Sequence, residues 1–369
     1  MAPILVTMVT GFLGAGKTTL LNALLRDPAF AQTAVLINEF GDVQIDHDLV
    51  AEFTDELVMT TTGCLCCTAS SDIKQSLFDL WKKRKDRSIG PYKRVIVETT
   101  GLMDPVPVIN SLLAPPSAGL IDRIVSQQFA LSRVVALFDI VNGPVTLDHH
   151  REALKQVGLA DIVVFTKTDL AGDPATRLDI AEDKHRIAAI NPGATILDRH
   201  ADWPKISELI LKDATYDLRG KGDDAREWLR AEEVSGDHRH DHGHDHAHHH
   251  GHAHHHGHAH DHAHHDRNRH GDDISSHVIA LDAPVSRSAF KTFLETLKAN
   301  AGTDLLRLKG LVALRDEPER PVVVHGVQHL VHEVETLERW PDDDTQTRIV
   351  LIGRNLDIEQ FRGVLSSVD

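Results

Sequence analysis

Three stretches of the sequence carry residues whose types and spacing can do chemistry. Gly11-Phe12-Leu13-Gly14-Ala15-Gly16-Lys17-Thr18 fits the pattern G-x-x-x-x-G-K-[ST]. Glycines in such a loop let successive backbone N–H groups curl around phosphate oxygens, and a helix starting there adds a favourable dipole. A lysine at the Lys17 position reaches β- and γ-phosphates, and a hydroxyl at the Thr18 position ligates Mg²⁺. Gly63-Cys64-Leu65-Cys66-Cys67 places all three cysteines of the chain together. Thiolates this close suit Zn²⁺, Cu(I) or iron–sulfur chemistry over Mg²⁺ or Ca²⁺. Three sulfurs leave a tetrahedral zinc ion one ligand short, which favours exchange of the metal over a closed structural role. Inert buried cysteine and dithiol redox sensing are the competing readings of the same residues. Residues 237–270 hold 18 of the 27 histidines, interleaved with Gly, Ala and Asp. Neutral imidazoles suit Zn²⁺, Ni²⁺, Co²⁺ or Cu²⁺, and would release them as pH falls through about 6.5.

Three shorter segments belong with the phosphate loop. Glu98-Thr99-Thr100-Gly101 ends an apolar run, where an acidic residue can serve Mg²⁺ and a glycine can sense the γ-phosphate. Thr166-Lys167-Thr168-Asp169 ends another. There an aspartate can accept hydrogen bonds from the guanine N1–H and exocyclic amine, while a lysine stem covers the ring. Asn38-Glu39-Phe40-Gly41-Asp42 follows a third run and fits a turn, a switch or a loop coupled to metal.

Something must position these segments. Ile4–Val9, Ala34–Ile37, Arg94–Val97, Val134–Phe138 and Ile162–Phe165 are short, β-branched apolar runs of the kind that forms buried strands. Thr18–Leu25, Asp72–Lys85 and Ala175–Ile190 have helical patterns between them. Alternating strands and helices imply βαβ units around a mostly parallel sheet. Such a sheet binds its ligands at the carboxyl ends of its strands, where all of the motifs fall. The histidine tract has no apolar content with which to build a core and is expected to be disordered without metal. Order returns near residue 274, with strands predicted at His277–Leu281, Val322–His325 and Arg348–Ile352 and a helix at Ser286–Asn300. The predicted organisation is therefore an α/β P-loop GTPase domain over 1–216, a linker over 217–273 containing the His-rich tract, and a small α+β C-terminal domain over 274–369.

Composition excludes several classes. Acidic residues outnumber basic ones 55 to 39, for a net charge of −16. That balance argues against a nucleic-acid binder, which needs a basic face. No apolar stretch approaches the ~20 residues that span a membrane, and the N-terminus lacks the pattern of a signal peptide. Clustered thiols in an odd number fit a reducing compartment, so a cytoplasmic location is expected.

GFLGAGKTTLL at 11–21, NEFGDVQID at 38–46, GCLCC at 63–67, ETTGLMDP at 98–105 and TKTD at 166–169 together resemble the CobW-type GTPases, relatives of the nickel-insertion GTPases HypB and UreG. LLRLKGLVALRDEPERPVVVHGVQHL at 305–330 and RIVLIGRNLD at 348–357 resemble the CobW C-terminal domain. The resemblance implies that Gly14, Ala15, Gly16, Lys17, Thr18 and Thr19 hold phosphates and Mg²⁺. It implies that Glu98 and Gly101 serve the Mg²⁺ and γ-phosphate region as catalytic elements with Lys17, and that Lys167 and Asp169 read guanine. Cys64, Cys66 and Cys67 would hold the transported metal, and Glu39 would link nucleotide state to that site or to Mg²⁺. Thr62 and Thr166 stand where relatives commonly carry Asn, and Asp42 where many carry Glu.

The expected function is a GTP-dependent metallochaperone. GTP and Mg²⁺ would order the metal-binding loops, and hydrolysis would release the metal, Zn²⁺ before Co²⁺, Ni²⁺ or iron, to a client metalloprotein or cofactor-synthesis enzyme. Neither an arginine finger nor a positioning glutamine is assignable, so slow intrinsic hydrolysis is expected. A homodimer is compatible with this scheme. A passive metal store with a vestigial nucleotide site is the main alternative, and a P-loop kinase would leave TKTD and the cysteines unexplained.

Overall fold

The computed structural model describes residues 2–37, 58–61, 69–113, 119–172, 179–212, 274–302, 304–328, 330–331, 335–341 and 343–367. Glu39, Cys64, Cys66, Cys67, the Asn38–Asp42 segment and the histidine tract at 237–270 lie outside these residues.

The N-terminal part is a seven-stranded sheet in the order β3-β2-β4-β1-β5-β6-β7. Its strands are β1 (Ile4–Gly11), β2 (Thr33–Ile37), β3 (Val58–Thr61), β4 (Arg94–Glu98), β5 (Phe129–Asp139), β6 (Ile162–Thr166) and β7 (Thr195–Asp198). Every pairing is parallel. The strands are buried on both faces because helices cover both, which is why they read as continuous apolar runs and not as alternating ones. The helices are α1 (Lys17–Arg26), α2 (Ala69–Lys85), α3 (Val106–Leu113), α4 (Leu120–Gln128), α5 (Gly143–His149), α6 (Arg151–Leu159), α7 (Ile180–Ile190) and α8 (Trp203–Leu211).

Two expected boundaries move. The strand read as Val134–Phe138 extends over Phe129–Asp139, because it pairs with β1 along that strand's whole length. The helix read as Ala175–Ile190 cannot include Asp179. That residue has non-helical backbone angles, and its carboxylate accepts the Ala181 and Glu182 N–H groups, so it caps a helix starting at Ile180.

The C-terminal part is an antiparallel sheet in the order β11-β10-β9-β13-β8, with β12 added beside β10. Its strands are β8 (Ser275–Leu281), β9 (Leu305–Leu314), β10 (Glu317–Val327), β11 (Leu330–Val331), β12 (Glu335–Thr336) and β13 (Thr347–Gly353). Two helices complete it, α9 (Arg287–Asn300), capped by the Ser286 hydroxyl, and α10 (Ile358–Leu365). Alternation along these strands separates two cores. Val312, Leu314, Val324, Ile349 and Leu351 face Phe290, Phe293 and Phe361 on the helices. Leu311, Ala313, Val323, Val350 and Ile352 join the apolar cluster that contains Ala153, Leu154 and Val157 of α6. The sheet is thus wedged between its own helices and the nucleotide-type domain.

A polar cluster sits at this junction. The Arg307 guanidinium on β9 donates through Nη1 to the Leu159 and Ala160 carbonyls at 2.7 and 2.8 Å, and pairs through Nη2 with Asp161. Lys309 Nζ lies 3.4 Å from the same carboxylate, whose other oxygen accepts the Val134 N–H at 2.9 Å. Burial works against a charge on Asp161, but Arg307 and Lys309 outweigh it and hold the carboxyl below its usual range. Burial, with repulsion from Arg307, lowers the Lys309 ammonium to about 8.

Two expectations follow. Arg307→Met strands a buried carboxylate and should cost about 3 kcal/mol in a urea titration. Lys309 binds its proton less tightly folded than unfolded, so the cost of its charge is complete below about pH 8 and fades as pH rises toward the ordinary lysine value. The native protein should therefore gain stability relative to Lys309→Met between pH 8 and 10; parallel pH profiles of the two would count against this electrostatic picture.

Candidate nucleotide site

The parallel register brings the motifs to one level. β1 runs out at Gly11, and α1 begins six residues on at Lys17. Gly16, the residue preceding the helix, has φ 90°, a left-handed conformation that a side chain would strain. No side chain caps the first turn of α1 and no acidic residue lies in it. Its amides therefore face the loop mouth, an arrangement that favours an anion. Lys17 Nζ donates to the Gly11 and Phe12 carbonyls at 3.0 and 3.1 Å, which folds the ammonium back over the loop. The loop's Ala15 is buried beneath, while Gly14 and Thr19 are exposed.

Glu98 is the last residue of β4, paired in register with Val9 of β1. It is only 4% exposed, and its Oε1 accepts the Thr18 hydroxyl at 2.9 Å. A hydroxyl and a buried carboxylate thus meet at the helix start. Thr99 fastens the next step of the chain, donating its hydroxyl to that of Thr10 at 3.0 Å. Gly101 then passes so close to the phosphate-type loop that a Cβ there would stand 2.6 Å from the Leu13 nitrogen. Only glycine fits at this crossing.

The second cluster grows from β5, β6 and β7. The Thr166 hydroxyl donates to the Ala15 carbonyl at 2.9 Å, tying the TKTD segment to the floor of the phosphate-type loop. Lys167 adopts φ 60°, rare for a residue with a side chain, and its ammonium is held by Asp139. Burial raises the cost of a charge on Asp139, yet hydrogen bonds from Lys167, Asn142 and the Val141 N–H prevail and keep the carboxyl below its usual range. The exposed Asp169 carboxylate lies 3.3 Å from His200 Nε2. Asp198 organises that loop, accepting the Thr168 hydroxyl at 3.0 Å and the His200 and Ala201 N–H groups at 2.7 and 3.1 Å. Desolvation opposes its ionisation, and those backbone bonds more than offset it. Beside the two clusters an open groove of ≈ 640 Å³ is lined by Thr19, Asn22, Arg26, Arg199 and Trp203.

The structure therefore brings together Gly14, Ala15, Gly16, Lys17, Thr18, Thr19, Glu98 and Gly101 at one end, with Lys167 and Asp169 alongside. Among the described residues no three His, Cys, Asp or Glu side chains converge as a metal site, and no helix is long and apolar enough to cross a membrane. Residue-by-residue reading missed Asp139, Asp198, His200 and Gln156. Asp139 carried a signal, since it ends an apolar strand as Glu98 does. His200, Asp198 and Gln156 carried none that is local.

Comparison with known proteins agrees with this architecture over both parts. Residues 5–198 match the family described as CobW/HypB/UreG, nucleotide-binding domain, and residues 274–368 match the cobalamin synthesis protein cobW C-terminal domain. The chain is 31% identical over 370 residues to the zinc chaperone YjiA of Escherichia coli, covering 100% of this chain and 99% of that one. It is 27% identical over 385 residues to the zinc-regulated GTPase metalloprotein activator 1 of Schizosaccharomyces pombe, covering 96% and 83%. The crystal structure of the Zn(II)-bound YjiA GTPase from E. coli matches it with a TM-score of 0.66 at 26% identity, covering 100% of each chain. With matching N-terminal and C-terminal domains and a relative alike from end to end, this chain belongs to the CobW family of P-loop proteins.

Proposed function

We propose that this protein is a GTP-dependent zinc metallochaperone. It would bind GTP with Mg²⁺ at the carboxyl end of its parallel sheet and carry zinc on Cys64, Cys66 and Cys67. Hydrolysis would release the zinc to a client metalloprotein. The observation that carries the reading is the joining of three motifs through two hydrogen bonds. Thr18 to Glu98 links the phosphate loop to the acidic strand end, and Thr166 to Ala15 links it to the base-reading segment.

The residues divide the work. Amides of the Gly14–Thr19 turn and the Lys17 ammonium receive the phosphates. The donor set of a hydroxyl and a carboxylate, all oxygen, fits a hard divalent cation, so Thr18 and Glu98 would hold Mg²⁺. When bound it would neutralise charge on the β- and γ-phosphates. Gly101, pressed against Leu13, lies where a small change at the γ-phosphate reaches the following loop. Asp169 would exchange His200 for the guanine N–H groups, while Lys167, fixed by Asp139, covers the ring. The groove lined by Arg199 and Trp203 accommodates the nucleoside end. Zinc as cargo is supported by the thiolate chemistry and by the names of the relatives, a zinc chaperone and a zinc-regulated activator. Glu39 would belong to the segment joining the two sites, and the histidine tract would collect metal near the cysteines.

Nucleotide and zinc must then be linked thermodynamically, each tightening the other by the same factor. Competitive zinc titration of the full chain with a non-hydrolysable GTP analogue should give affinity several-fold tighter than with GDP, and Cys66→Ala should abolish the difference. Equal zinc affinity in both nucleotide states would favour a passive store over a delivery GTPase. In steady-state phosphate release, Lys17→Ala or Glu98→Gln should lower kcat about 10²-fold or more.

A further inference from the structure

We propose that Gln156 is a positioning residue for the Gly101 loop, and that helix α6 carries the state of that loop to the C-terminal domain through Arg307. This rests on the nucleotide reading above. Gln156 is 2% exposed, and its Nε2 donates to the Gly101 and Met103 carbonyls at 3.1 and 3.2 Å. A buried side-chain amide that spends both hydrogens on one short loop fixes that loop's path, since each carbonyl would otherwise be left unsatisfied. The neighbouring Lys155 grips the same loop by pairing with Asp104 Oδ2 at 2.5 Å. Asp104 Oδ1 in turn accepts the Val106 N–H at 3.0 Å, at the start of α3. At the opening of α6 the His150 ring packs on Phe12, their centroids 4.5 Å apart. The helix therefore touches both loops that would face the γ-phosphate.

Its other end belongs to the C-terminal domain. Arg307 takes the Leu159 and Ala160 carbonyls, three and four residues beyond Gln156, about one helical turn. Gly158 lets the sheet approach, since a Cβ there would meet Ile352 and Leu306 at 3.4 and 3.5 Å. Asn191 adds a second clasp from the opposite side, its Nδ2 donating to Val157 and Ala160 at 2.8 and 2.9 Å. A single helical turn does not compress. A shift of the Gly101 loop on loss of the γ-phosphate must therefore move the whole of α6, and with it the seat of Arg307. The C-terminal sheet, wedged against α6, senses the nucleotide through this contact. By reciprocity, anything that displaces the sheet alters preference for GTP over GDP.

The test uses the full chain with Gln156→Leu, Arg307→Lys and the pair. Arg307→Lys keeps a cation beside Asp161 but cannot reach two carbonyls at once. Affinities for GDP and for a non-hydrolysable GTP analogue are measured separately, with thermal unfolding to identify variants that do not fold. Gln156→Leu should weaken the GTP analogue about tenfold and leave GDP within about twofold. Arg307→Lys should shift the ratio in the same direction, and the double variant should be no worse than Gln156→Leu, because the two act in series. Hydrogen exchange over residues 305–309 should slow with the GTP analogue in the native protein and not in Gln156→Leu. Variants that unfold more easily but keep the native GTP:GDP ratio, or a double variant whose effects simply add, would overturn the relay while leaving the nucleotide site standing. A native protein that does not bind GTP would overturn both.

Discussion

The site depends on one constraint, the parallel pairing of β1 with β4 on one side and β5 on the other. Register sets Val9 opposite Glu98 and Gly11 opposite Leu137, and the next pair sets Asp139 opposite Thr166. Parallel strands end at the same edge, so every loop that leaves there leaves at one level. The Thr18–Glu98 and Thr166–Ala15 hydrogen bonds are consequences of that register, reaching across 80 and 151 residues of sequence. A slip of one residue in either pairing would turn Glu98 or Thr166 to the other face of the sheet and undo both links.

Electrostatics follow from the same geometry. Carboxylates at strand ends are partly desolvated by the sheet, which by itself would favour their neutral forms. Asp139 and Asp198 remain anionic because backbone N–H groups, and in Asp139 the Lys167 ammonium, converge on them. These two anions do not meet the predicted ligand. They hold Lys167 and the His200 loop in place, so that the residues which would meet it arrive already oriented and little ordering is left for binding.

Legibility in the sequence divides along the same line. The phosphate-type loop was readable because its chemistry is local: glycines, lysine and threonine must be consecutive. Glu98 and the TKTD segment were readable because each ends an apolar run. Thr166, a departure from the commoner Asn, turns out to supply a hydroxyl that reaches the Ala15 carbonyl. Asp139, His200 and Gln156 come to the site from separate strands and helices, and nothing in their neighbours in sequence announces that. Strand β9 escaped for a related reason, since Arg307 and Lys309 interrupt its apolar pattern, and both charges belong to the interface with α6. The assignments of Glu39, Cys64, Cys66 and Cys67 rest on ligand chemistry and family resemblance.

The C-terminal sheet explains why such an interface would carry charge at all. A sheet buried on both faces needs no arginine to stay folded, and a buried ion pair seldom stabilises more than apolar residues of the same size. Arg307 is nonetheless aimed at two carbonyls that close α6, and Asp161 stands at the entry to β6, the strand that ends in the TKTD segment. One cluster thus touches the helix that holds the Gly101 loop and the strand that presents Lys167 and Asp169. Apolar packing alone would tolerate sliding between the two domains. Directional bonds to α6 and to the start of β6 allow only discrete positions, which is what a protein needs if its C-terminal half is to register the state of its N-terminal half.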